Sequence, residues 1–398
     1  MKNLIKINNK ILILALIVFF STLATMTVTT VLPAFFENLG LTYTQIGYIE
    51  GGAASIAFLS KFLSGIYSDR IRKRKTLIVY GTALSIITKC GFSLVTGFYS
   101  LFIVQICDRF AKGLRSSPVD AMIADVSAKS QNSHYYGLKY TFFMIGSILG
   151  GYITYKILEN VGLSFRLIFG IAIVPAIIAN FLSIKFLNDA PLPPQGNITL
   201  KCAISKINPI FWKYLFILLL LMFARFSTSF LGIKAMNIGL PVSDLPRLSM
   251  LYDVCAVLAS IFAVITSSNI NKETLFKSSL VVHIFSHFAF LIASSTEAIF
   301  IGTILSGLHI GMSQSAILSI VSRFAVCENK ATVFSIYYFV SGIGIFMSNA
   351  LAGRLSNVFD SSTGAFAGGL FFCCAALFTF HIFLKKQTCN EILGTAEP

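Results

Sequence analysis

The sequence is divided into long apolar blocks, each of which is long enough to cross the hydrocarbon core of a lipid bilayer. The blocks lie at about 11–36, 44–68, 76–97, 99–124, 136–158, 163–187, 210–234, 247–267, 274–294, 297–320, 332–356 and 364–384. A spanning helix needs about 20 apolar residues, and inside lipid every backbone polar group must find its partner within the protein. The pattern therefore predicts an all-α membrane protein with about twelve transmembrane helices.

The composition excludes a soluble protein. The chain has 398 residues, of which 56% are hydrophobic and only 12% are charged, about half the charged fraction of a soluble domain. A net charge of +15 could indicate a nucleic-acid partner, but most of the cations lie in short segments between apolar blocks. There they set the topology and attract anionic lipid. We therefore expect a lipid bilayer, and no nucleic acid, as a partner.

The cysteines and histidines give no sign of a bound group. The eight cysteines form no C-x-x-C pair and have no zinc-type spacing. His283 and His287 are four residues apart, which is compatible with a metal site, but no third ligand is near them in sequence. The sequence predicts no disulfide framework, no metal and no cofactor, and it favours a packed histidine pair.

One short loop predicts the orientation of the helices. The segment Gly65–Lys75 places five cations within six residues, between two apolar blocks, and such a cluster is retained in the cytoplasm. When the N-terminus is placed inside and the spans alternate, the loop cations that fall outside are only Lys156, Arg166, Lys234, Arg247 and Arg354. Both termini are predicted to be cytoplasmic, in a multi-pass protein of the bacterial inner membrane.

A proline-rich segment divides the spans into two sets of six. It contains Pro191, Pro193, Pro194, Gly196 and Pro209, and it predicts an extended cytoplasmic linker. A weak internal repeat agrees with this division, because Gly113 in the fourth span aligns with Gly307 in the tenth at an offset of 307 − 113 = 194. We predict a first bundle at 1–187, a linker at 188–209, and a second bundle with a short tail at 210–398.

The spans, the linker and two motifs together resemble the major facilitator superfamily over essentially the whole chain. The residues that carry this resemblance are Gly65, Asp69, Arg70, Arg74 and Lys75 in the loop and Arg109, Lys112 and Gly113 in the fourth span. It implies two six-helix bundles that rock about a binding site at the membrane midplane. The segment 108–121 also resembles one branch of uncharacterised bacterial permeases of this superfamily.

The resemblance further implies a conformational latch at the cytoplasmic ends of the second and fourth spans. Its residues would be Gly65, Asp69, Arg70 and Arg74, with Asp120 or Asp125 as the partner of Arg74. Asp69 would face the start of the eleventh span, and the latch would stabilise the outward-open state. The alternative is that these cations only set the topology.

Ionisable residues within the spans are the strongest indicators of function. They are Glu50, Lys61, Lys89, Asp108, Arg109, Lys112, Arg115, Asp120, Lys139, Arg225 and Asp253. Each costs about 2.5–3.5 kcal/mol at the centre of a bilayer on insertion scales. The fourth span carries five of them, so it must line a cavity or a polar contact instead of facing lipid.

The charges of the fourth span allow two interpretations. Asp108 and Lys112 are one helical turn apart and could form a structural pair, with Arg109 capping backbone carbonyls. Alternatively, Arg109, Lys112 and Arg115 form a cationic wall, and an anionic or polar substrate supplies the partner that a buried cation needs. We favour the second interpretation. The predicted substrate-binding residues are Arg109, Lys112, Arg115, Arg225 and His309.

Three intramembrane carboxyl groups, those of Glu50, Asp108 and Asp253, are candidate proton carriers. Burial favours a protonated carboxyl group, whereas a nearby cation favours the ionised form. Asp108 has two cations within a turn and is expected to stay ionised, but Glu50 and Asp253 have none. We predict proton coupling through Glu50 or Asp253; the alternative for both is a hydrogen-bonded contact between helices.

These features predict a secondary active transporter and not an enzyme, because the membrane segments contain no nucleophile–base set and no metal triad. We expect a monomer that carries a small solute, coupled to protons, by alternating access. The cationic wall favours an anionic metabolite or a siderophore-type chelate. A multidrug efflux permease is one alternative. A non-transporting membrane sensor, which would normally carry a soluble domain, is another.

Overall fold

The computed structural model describes residues 9–71, 73–126, 132–189, 208–266, 271–324, 330–359 and 361–392. Within these ranges the chain forms α-helices joined by short turns, with one 3₁₀ turn at Val242–Asp244 and no β-strand. The helices are α1 (Asn9–Thr29), α2 (Leu32–Asn38), α3 (Tyr43–Ile71), α4 (Arg74–Phe92), α5 (Phe98–Val126), α6 (Asn132–Asn160), α7 (Phe165–Phe186), α8 (Pro209–Ala224), α9 (Thr228–Asn237), α10 (Leu245–Thr266), α11 (Lys272–Ile292), α12 (Thr296–Arg323), α13 (Lys330–Val358) and α14 (Thr363–Ile392). The all-α prediction is confirmed.

The helices form twelve rods, because α1 with α2 and α8 with α9 each make one interrupted rod. In the described part of the chain, nine rods are long and apolar enough to cross a membrane. The other three are α3, α4 and α5, with 29, 19 and 29 residues; they carry most of the intramembrane charges, which lowers their hydropathy. Large apolar side chains such as Phe371 and Phe378, which are 68% and 66% exposed, suit a surface that faces lipid.

The first and seventh rods are interrupted at different places and for different local reasons. The helix resumes at α2 with Pro33 in its first turn, where a missing N–H costs no helical hydrogen bond. In the seventh rod the chain leaves the helix at Arg225, and the Oγ of Ser227 then accepts a hydrogen bond from the N–H of Ser229, 3.1 Å away, which caps α9. The second interruption leaves non-helical backbone in the middle of a spanning rod, and such backbone is tolerated only where it is buried in protein or lines a cavity.

The rods pack as two bundles with similar internal contacts. In the first, α1 packs on α6 and α7, and α5 packs on α3 and α4; in the second, α8 packs on α13 and α14, and α12 packs on α10 and α11. The bundles meet where α3 packs on α13, α6 packs on α10, and α2 packs on α9. The boundary at 188–209 stays a prediction, because residues 190–207 lie outside the described residues.

The helix ends lie on two opposite faces of the molecule, which we call the basic face and the opposite face. The basic face carries the start of α1, the turn between α3 and α4, and the end of α5. The opposite face carries the turns at 39–42, 93–97 and 161–164. Along α3 the chain therefore runs from the opposite face at Tyr43 to the basic face at Ile71.

Close approach between the bundles depends on glycine near the opposite face. A Cβ atom built on Gly51 of α3 would lie 2.9 Å from the carbonyl oxygen of Phe346 and 3.1 Å from Cβ of Asn349, both on α13. Real Cβ atoms do not approach backbone oxygen so closely, so α3 and α13 can touch here only because residue 51 has no side chain.

We expect Gly51→Val to hold the two bundles apart at the opposite face. A reporter is Thr30→Cys in a cysteine-free background, because Thr30 is 4% exposed and lines a cavity near that face. The rate at which maleimide labels this cysteine in detergent should rise severalfold when Gly51→Val is added. Gly137→Val is the matched control, since a Cβ at Gly137 meets nothing within 4 Å. Equal labelling rates in the two valine variants would contradict this account of the contact.

Candidate functional site

A buried ion pair joins α4 to α5 in the first bundle. Lys89 Nζ lies 2.6 Å from Asp108 Oδ1, and the side chains of Lys89 and Asp108 are 0% and 4% exposed. The hydroxyl of Thr88 donates a second hydrogen bond to the same oxygen at 3.0 Å. The structural pair of Asp108 with Lys112 considered above is therefore wrong. Lys89 reaches Asp108 from the neighbouring helix, where both groups are fully desolvated and hydrogen-bonded.

The pairing of Asp108 with Lys89 leaves the other cations of α5 without a carboxylate. Among the described residues, neither Arg109, Lys112 nor Arg115 forms an ion pair. Arg115 is nevertheless only 8% exposed. Cations held in this way are costly in a membrane unless water or a bound anion solvates them.

Lys112 and Arg115 line a cavity of about 400 Å³ between the two bundles, which we call the central cavity. The first bundle contributes four cations and one carboxylate to its lining. The cations are Lys61, Lys112, Arg115 and Lys139, and the carboxylate is Asp120. Gln314, Leu318 and Tyr338 contribute from α12 and α13 of the second bundle. The lining therefore has a net positive charge, and it belongs to both bundles.

Asp120 is held by two lysines at the basic-face end of the central cavity. It forms an ion pair with Lys139 of α6, and its Oδ2 atom lies 3.9 Å from Lys61 Nζ. The ammonium group of Lys61 also lies 5.5 Å from the ring centroid of Tyr338, a cation–π contact across the two bundles. One carboxylate thus neutralises two cavity lysines in part.

The residues predicted to form a latch are only partly described. Arg74 pairs with Asp125, so of the two partners considered the structure selects Asp125, while Asp120 lies in the central cavity. A Cβ atom on Gly65 would lie 2.8 Å from Oγ of Ser117 on α5. Asp69 and Arg70 belong to α3, but their side chains lie outside the described residues, and their role stays a prediction.

Two carboxylates connect the bundles nearer the opposite face. Glu50, which is 7% exposed, accepts hydrogen bonds from the hydroxyls of Ser227 and Ser229 at 2.9 and 3.0 Å. Both serines belong to the start of α9, where the helix dipole also favours an anion. Asp253 of α10 accepts a hydrogen bond from Ser147 of α6.

Additional contacts close the same side of the molecule. Asn237 donates to the hydroxyl of Tyr43 at 3.1 Å, and Arg354 donates to the hydroxyl of Tyr48 at 2.9 Å. A second cavity of about 190 Å³ lies beneath them and is lined by Arg109, among other residues. The central cavity lies on the basic-face side of these contacts, because its α3 lining begins only at Ala57.

The comparison with known families decides what kind of protein this arrangement belongs to. Residues 14–349 match the family model of the Major Facilitator Superfamily. The chain belongs to this superfamily. It is therefore a membrane transporter, as the resemblance of the sequence implied.

The relatives place the chain within the superfamily only broadly. It is 23% identical over 339 residues to an uncharacterised MFS-type transporter of Methanocaldococcus jannaschii. That match covers 84% of this chain and 85% of the relative. It is also 26% identical over 211 residues to the quinolone resistance protein NorA of Staphylococcus aureus, and that match covers 52% of each chain.

Solved structures of the superfamily have the same fold. A mutant of the nucleoside transporter NupG matches with a TM-score of 0.80 at 14% identity, covering 95% of this chain and 99% of the other. A bacterial homologue of the human lysosomal transporter Spinster, in an inward-facing and occupied conformation, matches with a TM-score of 0.69 at 15% identity, covering 94% and 95%.

In this superfamily member, Arg225 and His309 lie together in the second bundle. Arg225 Nε donates to His309 Nε2 at 3.2 Å, at the interruption of the seventh rod. His283 and His287 form a packed pair, as expected, with 3.2 Å between their Nε2 atoms. His283 also stacks on His309, with 3.8 Å between the ring centroids, which the sequence did not predict.

The sequence did not reveal the contribution of the second bundle to the central cavity. Gln314 and Tyr338 are ordinary residues of apolar spans, and only the packing of α12 and α13 against the first bundle places them there. The roles of Lys61 and Lys139 could have been inferred. Like Asp120, they are charged residues of a span, and each lies in the basic-face half of its helix.

Proposed function

We propose that this transporter moves a small anionic solute across the bacterial inner membrane by alternating access. The observation that carries the proposal is the charge of the central cavity, whose lining has four cations and one carboxylate. Lys112 and Arg115 have no carboxylate partner in the described part of the chain, and an anionic solute supplies one. Arg109, Arg225 and His309 do not line the central cavity, and their predicted role in binding the solute stays a prediction.

The size of the central cavity narrows the class of solute. A volume of about 400 Å³ is at the lower end for ligand sites, which hold about 300–1,000 Å³. It fits an anionic metabolite better than a bulky iron chelate. The aromatic rings of Phe58, Phe143 and Tyr338 in the lining favour a solute with an apolar part beside its charge.

The orientation follows from the distribution of cations. The positive-inside rule places the basic face, with its five cations at 70–75, in the cytoplasm. The contacts of Glu50, Tyr43 and Tyr48 then close the outer side, and the central cavity lies on the cytoplasmic side. This arrangement corresponds to an inward-facing state, the conformation named for the Spinster homologue that shares the fold.

The coupling proton is assigned to Glu50 or Asp253. Each carboxylate accepts hydroxyl hydrogen bonds from the other bundle, and these bonds are lost when the bundles separate on that side. Opening the outer side gives protons from solution access to both carboxylates, and closing it restores the hydroxyl hydrogen bonds. Asp108 is excluded because Lys89 remains its partner within one bundle.

We expect Glu50→Gln or Asp253→Asn to uncouple transport from protons. Glutamine can still accept a hydrogen bond from Ser227 but cannot be ionised, so solute movement driven by a pH gradient should be lost while solute exchange continues. Glu159→Gln, an exposed carboxylate on α6, is the control and should leave both activities unchanged. Accumulation driven by a pH gradient in both Glu50→Gln and Asp253→Asn would remove the proposed coupling.

Counterflow in proteoliposomes tests the transport proposal. Vesicles containing the purified protein are loaded with one of a panel of carboxylates and phosphorylated metabolites, and the entry of the same labelled compound is measured. We expect at least one anion to exchange well above the rate of protein-free vesicles. If only neutral or cationic compounds exchange, the proposed substrate class is wrong.

Drug efflux is the second candidate, because NorA confers quinolone resistance and shares 26% identity over about half of each chain. The same vesicles can be tested with quinolones and with cationic dyes. Dye movement without anion exchange would favour this second function.

A further inference from the structure

A row of buried imidazoles lies beside the interruption of the seventh rod, outside the central cavity. His309 stacks on His283 with an interplanar angle of 4°, and His283 lies against His287 with 4.2 Å between ring centroids. The three side chains come from α11 and α12, and each residue is at most 7% exposed. Arg225 contacts one end of the row, and the carbonyl of Ala224 contacts the other.

The hydrogen bonds fix the protons on two of these rings. His309 Nδ1 lies 2.7 Å from the carbonyl oxygen of Ser279, which can only accept, so Nδ1 carries the proton. The Nε2 atom of the neutral ring then accepts from Arg225. By the same argument His287 donates from Nε2 to the carbonyl of Ala224 at 3.0 Å. The Nδ1 atom of His287 is therefore unprotonated and can accept a proton.

Two ring nitrogens of this row lack partners in a buried setting. Neither His283 Nδ1 nor His287 Nδ1 has a hydrogen-bond partner among the described residues, although the two residues are 7% and 3% exposed. Buried polar atoms are nearly always paired with protein, water or a ligand. Among the described residues, these two atoms are therefore free to bind water or a ligand.

A cavity of about 70 Å³ adjoins these two histidines. It is also lined by Arg225, Thr228, Tyr252 and Ser306, and no carboxylate is among its lining residues. This volume holds a few waters or one small polyatomic anion, since a water needs about 10–15 Å³ on the same measure. A cation is disfavoured, because the lining supplies a guanidinium and hydroxyl groups and no anionic ligand.

Two features of the cavity attract negative charge. Arg225 uses Nε and Nη2 for His309 and Ser313, which leaves its Nη1 group for a ligand. The N-terminus of α9 begins at Thr228 beside the same cavity, and its dipole favours negative charge, which the Glu50 carboxylate supplies in part through Ser227 and Ser229.

We propose that this cavity binds one small monovalent anion, such as an inorganic oxyanion or a single carboxylate, together with a proton on His287. The anion pairs with Arg225 and supplies the negative charge that a protonated, buried His287 otherwise lacks. The proton then binds at His287 Nδ1 and donates to the anion. By linkage, the proton strengthens anion binding as much as the anion strengthens proton binding.

The groups that face the histidine row from the surrounding helices agree with this coupling. Arg225 and His309 lie near the other histidines. Tyr252 on α10, Tyr337 on α13 and Cys373 on α14 lie near Arg225. Glu50 reaches Ser227 from the first bundle but does not line the cavity. No described carboxylate lines the cavity itself, so the proposed anion is one that enters from solution.

Proton uptake on anion binding tests the proposal. Sodium nitrate is added to the purified full-length protein in weakly buffered detergent near pH 6.5, where a free imidazole is about half protonated, and a pH indicator records proton uptake. We expect uptake of up to one proton per protein, saturating with nitrate. His287→Gln, whose amide can still donate to Ala224, and Arg225→Gln should abolish it. Exposed His381 on α14 offers the matched control, and His381→Gln should behave like the wild type.

Each alternative result overturns the proposal. Wild-type protein that takes up no proton on nitrate addition, or His287→Gln that takes up as many protons as the wild type, removes the site. A circular dichroism spectrum and an unchanged unfolding temperature establish that His287→Gln is folded. Lys112→Gln should keep the uptake, because the central cavity is a separate site; loss of uptake there and not in His287→Gln would place the anion in the central cavity instead. The test does not depend on transport, so it can fail or succeed independently of the proposed function.

Discussion

Replacing Asp108 by asparagine is expected to destabilise the protein by about 3–5 kcal/mol, because it leaves a buried cation without its partner. Lys89 is fully buried and its ammonium group lies 2.6 Å from the Asp108 carboxylate. Neutralising the carboxylate removes the charge that offsets the desolvation of Lys89. Chemical unfolding in mixed detergent micelles measures the loss in the free energy of unfolding.

Two further variants separate the ion pair from a general effect of substitution. The double variant Lys89→Met with Asp108→Leu removes both charges, and it should recover most of the stability, since apolar side chains can replace a buried pair. Asp244→Asn removes a partner of the half-exposed Arg247, and such a surface pair contributes about 0–1 kcal/mol. If Asp108→Asn is as stable as Asp244→Asn, the pair does not hold α4 to α5.

Lys112→Gln is expected to cause the largest loss of transport. A hydrogen bond to a charged group contributes about 1.5–3 kcal/mol, so its removal should raise the anion concentration needed for half-maximal exchange about 10- to 100-fold. Insertion and folding should persist, because Lys112 has no ion pair within the described residues to lose. The measurement is the concentration dependence of counterflow.

Lys185→Gln is the matched control for this prediction. Lys185 is an exposed cation at the end of α7, where its ammonium group contacts the rings of Phe181 and Phe186, and it lies outside the cavities described above. Counterflow in this variant should equal that of the wild type. An equal loss in both variants would mean that net charge, and not the central cavity, governs transport.

The number and type of the helices could be predicted because the apolar blocks are long and the loops carry the cations. The block at about 44–68, for example, became α3 at Tyr43–Ile71. The interruption of the first rod also has a sequence signal in Pro33. The interruption of the seventh has a weaker signal, since only the capping Ser227 marks it, and neither glycine nor proline is present.

The partners of the intramembrane charges could not be predicted, because they depend on how neighbouring helices are rotated. Asp108 has Lys112 one turn away in sequence, yet it pairs with Lys89, 19 residues earlier. The same reason applies to His309, which reaches His283 only through the packing of α11 on α12. The central cavity could not be predicted either, because its lining depends on how one bundle is placed against the other.

A structure determined with an exchanged anion bound tests the central claim most directly. The account predicts that the anionic group lies within hydrogen-bonding distance of Lys112 and Arg115 in the central cavity, with Tyr338 of the second bundle against the rest of the solute. An anion bound away from both cations, or a neutral solute in that cavity, would contradict it.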